Sequence, residues 1–510
     1  MKDNRTLYKG WKGSLEMKFL TKKFLSDADL SYVAELLKGG FGGTSIVVVG
    51  DFMLDRYISG DVERISPEAP VPVVRFKKER LVAGGAGNVA ANLAGLGVNV
   101  SVVGSVGDDA YGRALLGLPL FKNIDCSALL PLAPTVVKTR ILGSGRQQML
   151  RLDMEEKMSL SAVEVERLLA GVSNAVSNSA KLIIISDYGK GCCPQELCRG
   201  LITLAREKNI SVWIDPKKTD WESYRGASLI TPNIKELSAA AGCQLRNEDG
   251  AIADAAIALK KKYEIENILV TRSERGATLI EKQVVTHIPV GAVEVYDVSG
   301  AGDTMIAVAA AFAAEGLPLK VAVKLANVAS QVVIGKVGTY SISAAELLEA
   351  IFQKNVPKSL KVLPAEEAVK LRAVWRAAGE SVVFTNGCFD IMHAGHIDSL
   401  TVAKSLGDRL IVGLNSDGSV RRLKGEFRPI NDSAARAKVL AALTVVDCIV
   451  IFEEDTPAEL LSRLRPDVIA KGGDYRPEDI AGSEYAGEIA IIPLTDGFST
   501  TSIIERILRG

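Results

Sequence analysis

Short apolar runs bounded by glycine or polar residues recur along most of the chain. Ile46–Val49, Val100–Val103, Leu182–Ile185, Val212–Ile214, Leu229–Ile230 and Ile268–Val270 have the length and character of buried strands, with helical patterns between them. That βαβ rhythm predicts a mostly parallel sheet, covered on both faces, over residues 44–353. Residues 1–43 read as a polar extension with one amphipathic helix, Asp29–Leu37, and a break at Gly39–Gly43. Met17 is a candidate start, because Met1–Glu16 shows no periodicity. Residues 354–364 carry two prolines and three lysines and read as a linker. A second α/β unit is predicted over 365–510, from the helix Ala365–Ala378 and the strands Ser381–Thr385, Arg409–Leu414, Cys448–Phe452, Val468–Ala470 and Ile489–Pro493. There is no internal repeat.

Composition narrows the function classes. Lys+Arg 61 against Asp+Glu 61 leaves no net charge, which argues against a nucleic-acid binder working by phosphate neutralisation. No apolar run approaches the ~20 residues a membrane span needs, and Met1–Lys23 lacks the apolar core of a signal peptide, so a cytoplasmic protein with no membrane partner is expected. The seven cysteines include no pair of CxxC units, and Cys192-Cys193 with Cys198 is their only cluster. Reduced thiols fit better than zinc. Of three histidines, His393 and His396 lie together, which marks them out from filler.

Asp297-Val298-Ser299-Gly300-Ala301-Gly302-Asp303-Thr304, ahead of a predicted helix Met305–Ala314, suits phosphoryl transfer. Gly300, Ala301 and Gly302 would bring backbone N–H groups and a helix N-terminus to an anion, and Asp303 would accept a hydroxyl proton. A glycine-rich turn with Asp303 merely capping the helix is the plainer alternative. Earlier in the chain, Gly84-Gly85-Ala86-Gly87-Asn88 precedes a small-residue helix, Val89–Leu96, and Asp51 ends the first strand, where α/β sheets bind ligands. Later come Asn233-Ile234-Lys235-Glu236, the stretch Thr271 to Gly276 containing Ser273, and Asn327 on a helix. Capping of a helix is the plain alternative for Asn233 and Glu236. The GxGxxA match at Gly85–Ala90 is set aside because Lys77–Arg80 is no buried strand, and no Walker A sequence exists.

The second constellation runs from Asn386 to His396 and includes Phe389 and Asp390. His393 and His396, three apart at a helix start, face one way, and Gly395 leaves room for a phosphate. Two imidazoles there could stabilise an α-phosphate as pyrophosphate departs. A metal site would want a third ligand, and a structural histidine pair is the other alternative. Asn415 and Asp417, Arg421 and Lys424, and the turn at Lys471 offer further polar groups, with a solvated charged loop the alternative for Arg421–Lys424. Ser499, Thr500 and Thr501 form a hydroxyl-rich turn before a predicted helix, Ile503–Leu508. Lys157-Met158-Ser159 lies in the wrong unit to be a synthetase loop.

The paired-glycine motif and the DxxGAGDT motif, in that order, resemble the ribokinase-like carbohydrate kinase family; the HxGH motif and the hydroxyl-rich turn look like the cytidylyltransferase-like family. The resemblance implies a ribokinase-like three-layer α/β/α domain followed by a smaller Rossmann-like nucleotidyltransferase domain. It implies Asp303 as base and Gly300–Gly302 as anion hole. It gives Asp51, Gly84, Gly85 and Asn88 to the sugar. It also gives Asn233, Ile234, Lys235 and Glu236 to ATP phosphate and Mg²⁺ placement, and Thr271, Ser273, Gly276 and Asn327 to the nucleotide. No metal is expected on the protein directly: Mg²⁺ comes with ATP near Glu236, with K⁺ a further candidate in the kinase unit. The fusion, with Gly50–Tyr57, Arg64–Val74, Ser186–Gly191 and Phe452–Pro457, resembles the bifunctional heptose-phosphate kinase/adenylyltransferases over about residues 44–510. Implied are phosphorylation of D-glycero-β-D-manno-heptose 7-phosphate at O1, adenylylation of the 1-phosphate to ADP-heptose for lipopolysaccharide core, and a homodimer. Lys190 and Arg140 are expected to grip the 7-phosphate. One departure stands out: Ala434 and Ala435 occupy a stretch where the family usually has a glutamate before Arg436, leaving that arginine without an assigned carboxylate. A kinase/cytidylyltransferase pair for another sugar and a non-catalytic sugar-phosphate sensor remain open alternatives.

Overall fold

The computed structural model describes residues 24–492 apart from 145–146, 178, 292–295, 337, 356–360, 378, 474–475 and 477–479. The predicted start at Met17, part of the linker, and the turn and helix spanning Ser499–Leu508 therefore lie outside the described residues. In chain order the strands are β1 (Ser45–Ile65), β2 (Pro72–Gly85), β3 (Asn99–Ser105), β4 (Ile124–Leu130), β5 (Val136–Leu142), β6 (Gln148–Met154), β7 (Ala180–Ser186), β8 (Ser211–Asp215), β9 (Leu229–Ile230), β10 (Asn267–Thr271), β11 (Ala277–Glu281) and β12 (Val284–Ile288). The second unit adds β13 (Val382–Gly387), β14 (Arg409–Asn415), β15 (Cys448–Phe452), β16 (Val468–Gly472) and β17 (Glu488–Ile492).

The main sheet has the order β12-β11-β10-β9-β8-β7-β1-β3-β4, parallel except at β10–β11–β12. Both faces are covered because successive residues point to opposite sides. Ile46 and Val48 enter one core with the helices Ala86–Gly95, Ala301–Ala314 and Leu319–Ile334. Val47 and Val49 enter the other, with Ala162–Ser177, Gln195–Glu207 and Asp249–Lys262. The helix Ala301–Ala314 is apolar all round and runs through the interior, with every residue from Asp303 to Phe312 buried.

Two expectations need correction. Asp51 does not end a strand. β1 continues past it to Ile65, leaving the main sheet and pairing instead with β2 (antiparallel) and β5 (parallel); with β6 these strands make a projecting sheet. Alternating apolar and charged residues beyond Asp51 hid this, since such a strand does not read as a buried run. For the same reason Lys77–Arg80, correctly read as unburied, is still strand: it lies in β2. Nor is the segment before residue 44 wholly apart from the first unit. The helix Asp27–Gly39 buries Val33, Leu36 and Leu37 on the first core, and Phe41 meets Phe312 edge-on at 5.2 Å.

The second unit is a five-stranded parallel sheet, β15-β14-β13-β16-β17. Val362, from the segment read as linker, forms a parallel bridge to Ile449 at its edge. Among the described residues no helix is long and apolar enough to cross a membrane.

Phe312 joins the N-terminal helix to the buried one at 0% exposure. Phe312→Ala should cost ~3–5 kcal/mol by the transfer and cavity terms, seen as a lower urea midpoint for the first unit while the second unit's transition stays in place.

Candidate active sites

The helix Ala301–Ala314 starts near the carboxyl ends of β7 and β8, and there Asp303 is found at 3% exposure. Gly300 caps that helix in the left-handed region, φ 81°, and a Cβ on it would sit 2.7 Å from the Asn88 amide nitrogen. Glycine is needed there twice over. Gly302 differs: it is ordinary helix, and among the described residues no atom from outside its own turn of helix stands within 4 Å of where its Cβ would be. That open space lies beside first-turn amides that have no intrahelical acceptor, which is what an anion hole requires.

Asp303 is held on both oxygens. Asn88 Nδ2 donates to Oδ2 at 2.8 Å and the Tyr188 hydroxyl donates to Oδ1 at 2.7 Å. Burial pushes its carboxyl up to about 6 against the pull of these two donors. Asn88, expected at the sugar, therefore grips the candidate base. Asn92 in turn holds Asn88, donating to its carbonyl at 2.8 Å.

Asp51 is also engaged elsewhere. Its carboxylate accepts the amides of Tyr188 (2.8 Å), Lys190 (3.0 Å) and Cys192 (2.9 Å), so it ties down the loop after β7. Gly84 and Gly85 serve packing: a Cβ on Gly84 would lie 2.7 Å from Asp55 Oδ2, and one on Gly85 2.5 Å from the Asp51 carbonyl. Asp55, passed over as a site residue, is the carboxylate that faces Asp303 from β1. It accepts from Arg140 Nη1 at 2.7 Å and from Thr339 Oγ1 at 2.9 Å. Its spacing of four from Asp51 along one strand face was the signal available. Arg140 is thus already paired, as is Lys190, 2.6 Å from Glu155. Lys138 was missed too: it lies 5.4 Å over the Tyr188 ring, and burial lowers its ammonium below the usual lysine range.

The nucleotide candidates lie along β9 and β10. Asn233 and Glu236 form a reciprocal capping box on the helix Ile234–Ala241, at 3.0 Å each way, so the plain alternative holds structurally. Glu236 keeps its second oxygen toward Lys217 at 3.8 Å. Ile234 and exposed Lys235 line a shallow surface depression with Ser238, Cys243 and Leu245. Thr271 bridges to Asn233, Ser273 has φ 51°, and Gly276 passes so close to the Ile288 carbonyl that a Cβ would meet it at 2.1 Å. Asn327 ties its helix to the Pro289 carbonyl at 3.1 Å. Among the described residues no cluster of three or more metal-ligating side chains occurs.

In the second unit, His393 caps the helix Ala394–Ser405, and the His393 and His396 rings stack with centroids 3.8 Å apart. Burial and the neighbouring His393 push His396 down to about 4, so both imidazoles are neutral near pH 7. Phe389, at φ 46°, leans on His396 at 5.3 Å, and Lys471 Nζ donates to the Asn386 side-chain Oδ1 at 2.9 Å. Asp390 and Asp417, both expected at the nucleotide, bond neighbouring protein groups. Asp390 accepts the amides of Ile430 and Asn431 and pairs with Arg428. Asp417 holds Arg436 at 2.6 Å, supplying the carboxylate that Ala434 and Ala435 cannot. Buried Arg436 also donates to the Cys388 and Asn415 carbonyls, tying together the ends of β13 and β14. Asn415 bonds Ser419 at 3.0 Å. Arg421 and Lys424 lie exposed on a helix, Asp417–Lys424, rather than in the charged loop that was the alternative for them, and Ser499, Thr500 and Thr501 lie outside the described residues.

Comparison with known proteins agrees with both halves. Residues 43–346 match the family described as pfkB family carbohydrate kinase, and residues 384–506 the family described as cytidylyltransferase-like. The chain is 46% identical over 473 residues to the Bifunctional protein HldE of Methylobacillus flagellatus, spanning 91% of this chain and 96% of that one. Identity to the same-named protein of Haemophilus influenzae is 46%, over 92% and 98%. The chain belongs to the bifunctional HldE family. It joins a carbohydrate kinase to a nucleotidyltransferase. Phosphofructokinase-2 from Escherichia coli, solved in complex with potassium, shares the fold of the first unit at TM-score 0.51 and 20% identity, over 61% of this chain and 99% of that one. The same enzyme with substrates and products gives TM-score 0.51 at 19% identity, over 60% and 98%.

The two titrations predict different acid limits. A base must be ionised, so with Asp303 at about 6 kinase turnover should fall about tenfold by about pH 5. The transferase should not follow, since His396 titrates only near 4. Parallel pH–rate profiles of the two half-reactions check this.

Proposed function

We propose that the first unit phosphorylates D-glycero-β-D-manno-heptose 7-phosphate at O1 with ATP, and that the second adenylylates the resulting sugar 1-phosphate, once the 7-phosphate has been removed, to ADP-heptose and pyrophosphate. The observation that carries the first step is Asp303, a buried carboxylate at a helix N-terminus with open space in front of its first-turn amides. Asp303 takes the proton of the O1 hydroxyl, that oxygen attacks the γ-phosphorus, and the amides of Ala301 and Gly302 face the charge on the transferred group. Asp55 and Lys138 line the sugar's side, with Arg140 and Lys190 behind them toward the far phosphate. In the second step His393, His396 and Lys471 face the α-phosphate. Mg²⁺ accompanies ATP and neutralises phosphate charge. Glu236, with one oxygen outside its capping bond, is the carboxylate suited to hold it through water. The kinase unit is also read as responsive to K⁺.

The same reading makes the protein a homodimer. On β6, Leu150, Leu152 and Met154 alternate outward at 55%, 51% and 44% exposure, on the side opposite Arg140, Lys138 and Asp55. An edge strand that leaves three apolar side chains exposed fits covering by a second copy.

Asp303→Asn should lower kinase turnover by a factor of order 10²–10⁴ and leave adenylyl transfer intact, and His396→Ala should do the reverse. Mass spectrometry of products from each sugar phosphate with ATP reads both; loss of both reactions in either folded variant would falsify the two-site division. For assembly, sedimentation should show a dimer that Leu152→Asp converts to monomer. A monomeric parent protein would remove the dimer from the reading.

A further inference from the structure

The residue against the kinase base is a tyrosine that neither signature motif contains. Tyr188 sits in the turn after β7, and its backbone is fixed independently of its ring. The amides of Tyr188, Lys190 and Cys192 all bond Asp51, and the Asp187 carboxylate takes the Gly189 amide at 2.8 Å. Gly189 and Gly191 adopt φ 69° and 108°, and a Cβ on Gly191 would meet the Met158 carbonyl at 1.9 Å. So locked a turn delivers the phenol to one place, 2.7 Å from Asp303 Oδ1.

A sugar hydroxyl entering the site must approach the same carboxylate as the same kind of donor. Oδ2 faces Asn88, the group as a whole is 3% exposed, and the phenol covers Oδ1. We propose that Tyr188 is a positioning residue that stands in for the substrate hydroxyl: it donates to Asp303 in the resting kinase, keeps that carboxylate aimed and shielded from water, and gives way to the sugar's O–H. While the phenol is in place no water can be activated, so ATP is not hydrolysed without sugar. When the sugar hydroxyl takes over, its proton passes to Asp303, the O1–phosphorus bond forms and the bond from the γ-phosphorus to ADP breaks.

This rests on Asp303 being the kinase base. The charged and titratable groups facing Asp303 are Asp55 from β1, Lys138 from β5, Asp215 from β8 and Tyr188 itself. Asp55 raises the carboxyl, while Lys138 and the phenol lower it. Burial holds the phenol far above its ordinary range, so it stays a donor throughout an assay.

The test uses the full-length enzyme with heptose 7-phosphate and ATP. In Tyr188→Phe, which removes only the oxygen, the acid limb of kcat/KM should move up by about one unit, the worth of one hydrogen bond to a charged group. ATP hydrolysis without sugar should rise. Placing 3-fluorotyrosine at 188, a stronger donor of nearly the same size, should move the limb the other way, a directional change that mere loosening of the fold would not produce. If the limb stays put in both proteins, the inference is overturned. The underlying reading is judged separately: an active Asp303→Asn enzyme would remove the base itself, whereas an inactive one with an unmoved Tyr188→Phe limb removes only the role of Tyr188.

Discussion

The kinase half depends on keeping a carboxylate charged in a place that disfavours charge. Asp303 opens a helix whose next nine residues are all buried, and burial alone drives it toward the neutral acid. Two donors oppose that drive, one from the helix Ala86–Gly95 and one from the turn after β7. Because those donors come from segments distant in sequence, the carboxylate is held only when the sheet is assembled. Gly300 belongs to the same constraint, since any side chain there would push Asn88 away.

Around this centre, polar residues hold backbone more often than they wait for ligand. Asp51 gathers amides that set the turn bearing Tyr188. Arg436 does the corresponding work in the second unit, drawing the Cys388 and Asn415 carbonyls together beside the histidine pair, with Asp417 balancing its charge. A buried ion pair or carboxylate of this kind adds little net stability, but it fixes loop geometry at the carboxyl ends of parallel strands. Catalysis by positioning needs that fixity more than it needs extra binding groups.

The projecting sheet shows how one strand can serve two ends. β1 begins in the main sheet at full burial and ends in the projecting one, carrying Asp55 inward as it crosses. The projecting sheet's two faces differ in kind, with Asp55, Lys138 and Arg140 on one and Leu54, Val137 and the apolar residues of β6 on the other. A single run of chain therefore supplies both core and projecting sheet.

Local pattern settled a great deal: the apolar strands and the helices between them, the glycine turn before Asp303, and the histidine pair three residues apart are each short-range features, set by backbone conformation and side-chain periodicity. Gly300, Asp303, His393 and His396 could be picked out because their chemistry depends on immediate neighbours. Long-range placement decided the rest. What Asp51 and Asn88 bond within the protein, and which carboxylate balances Arg436, all turned on partners from 19 to 215 residues away. Asp55, Lys138 and Tyr188 went unassigned for the same reason: a charged or phenolic side chain on a strand or turn carries no mark of what it will face. That is decided when separate segments are packed into one low-dielectric space and each buried polar group must find a partner there.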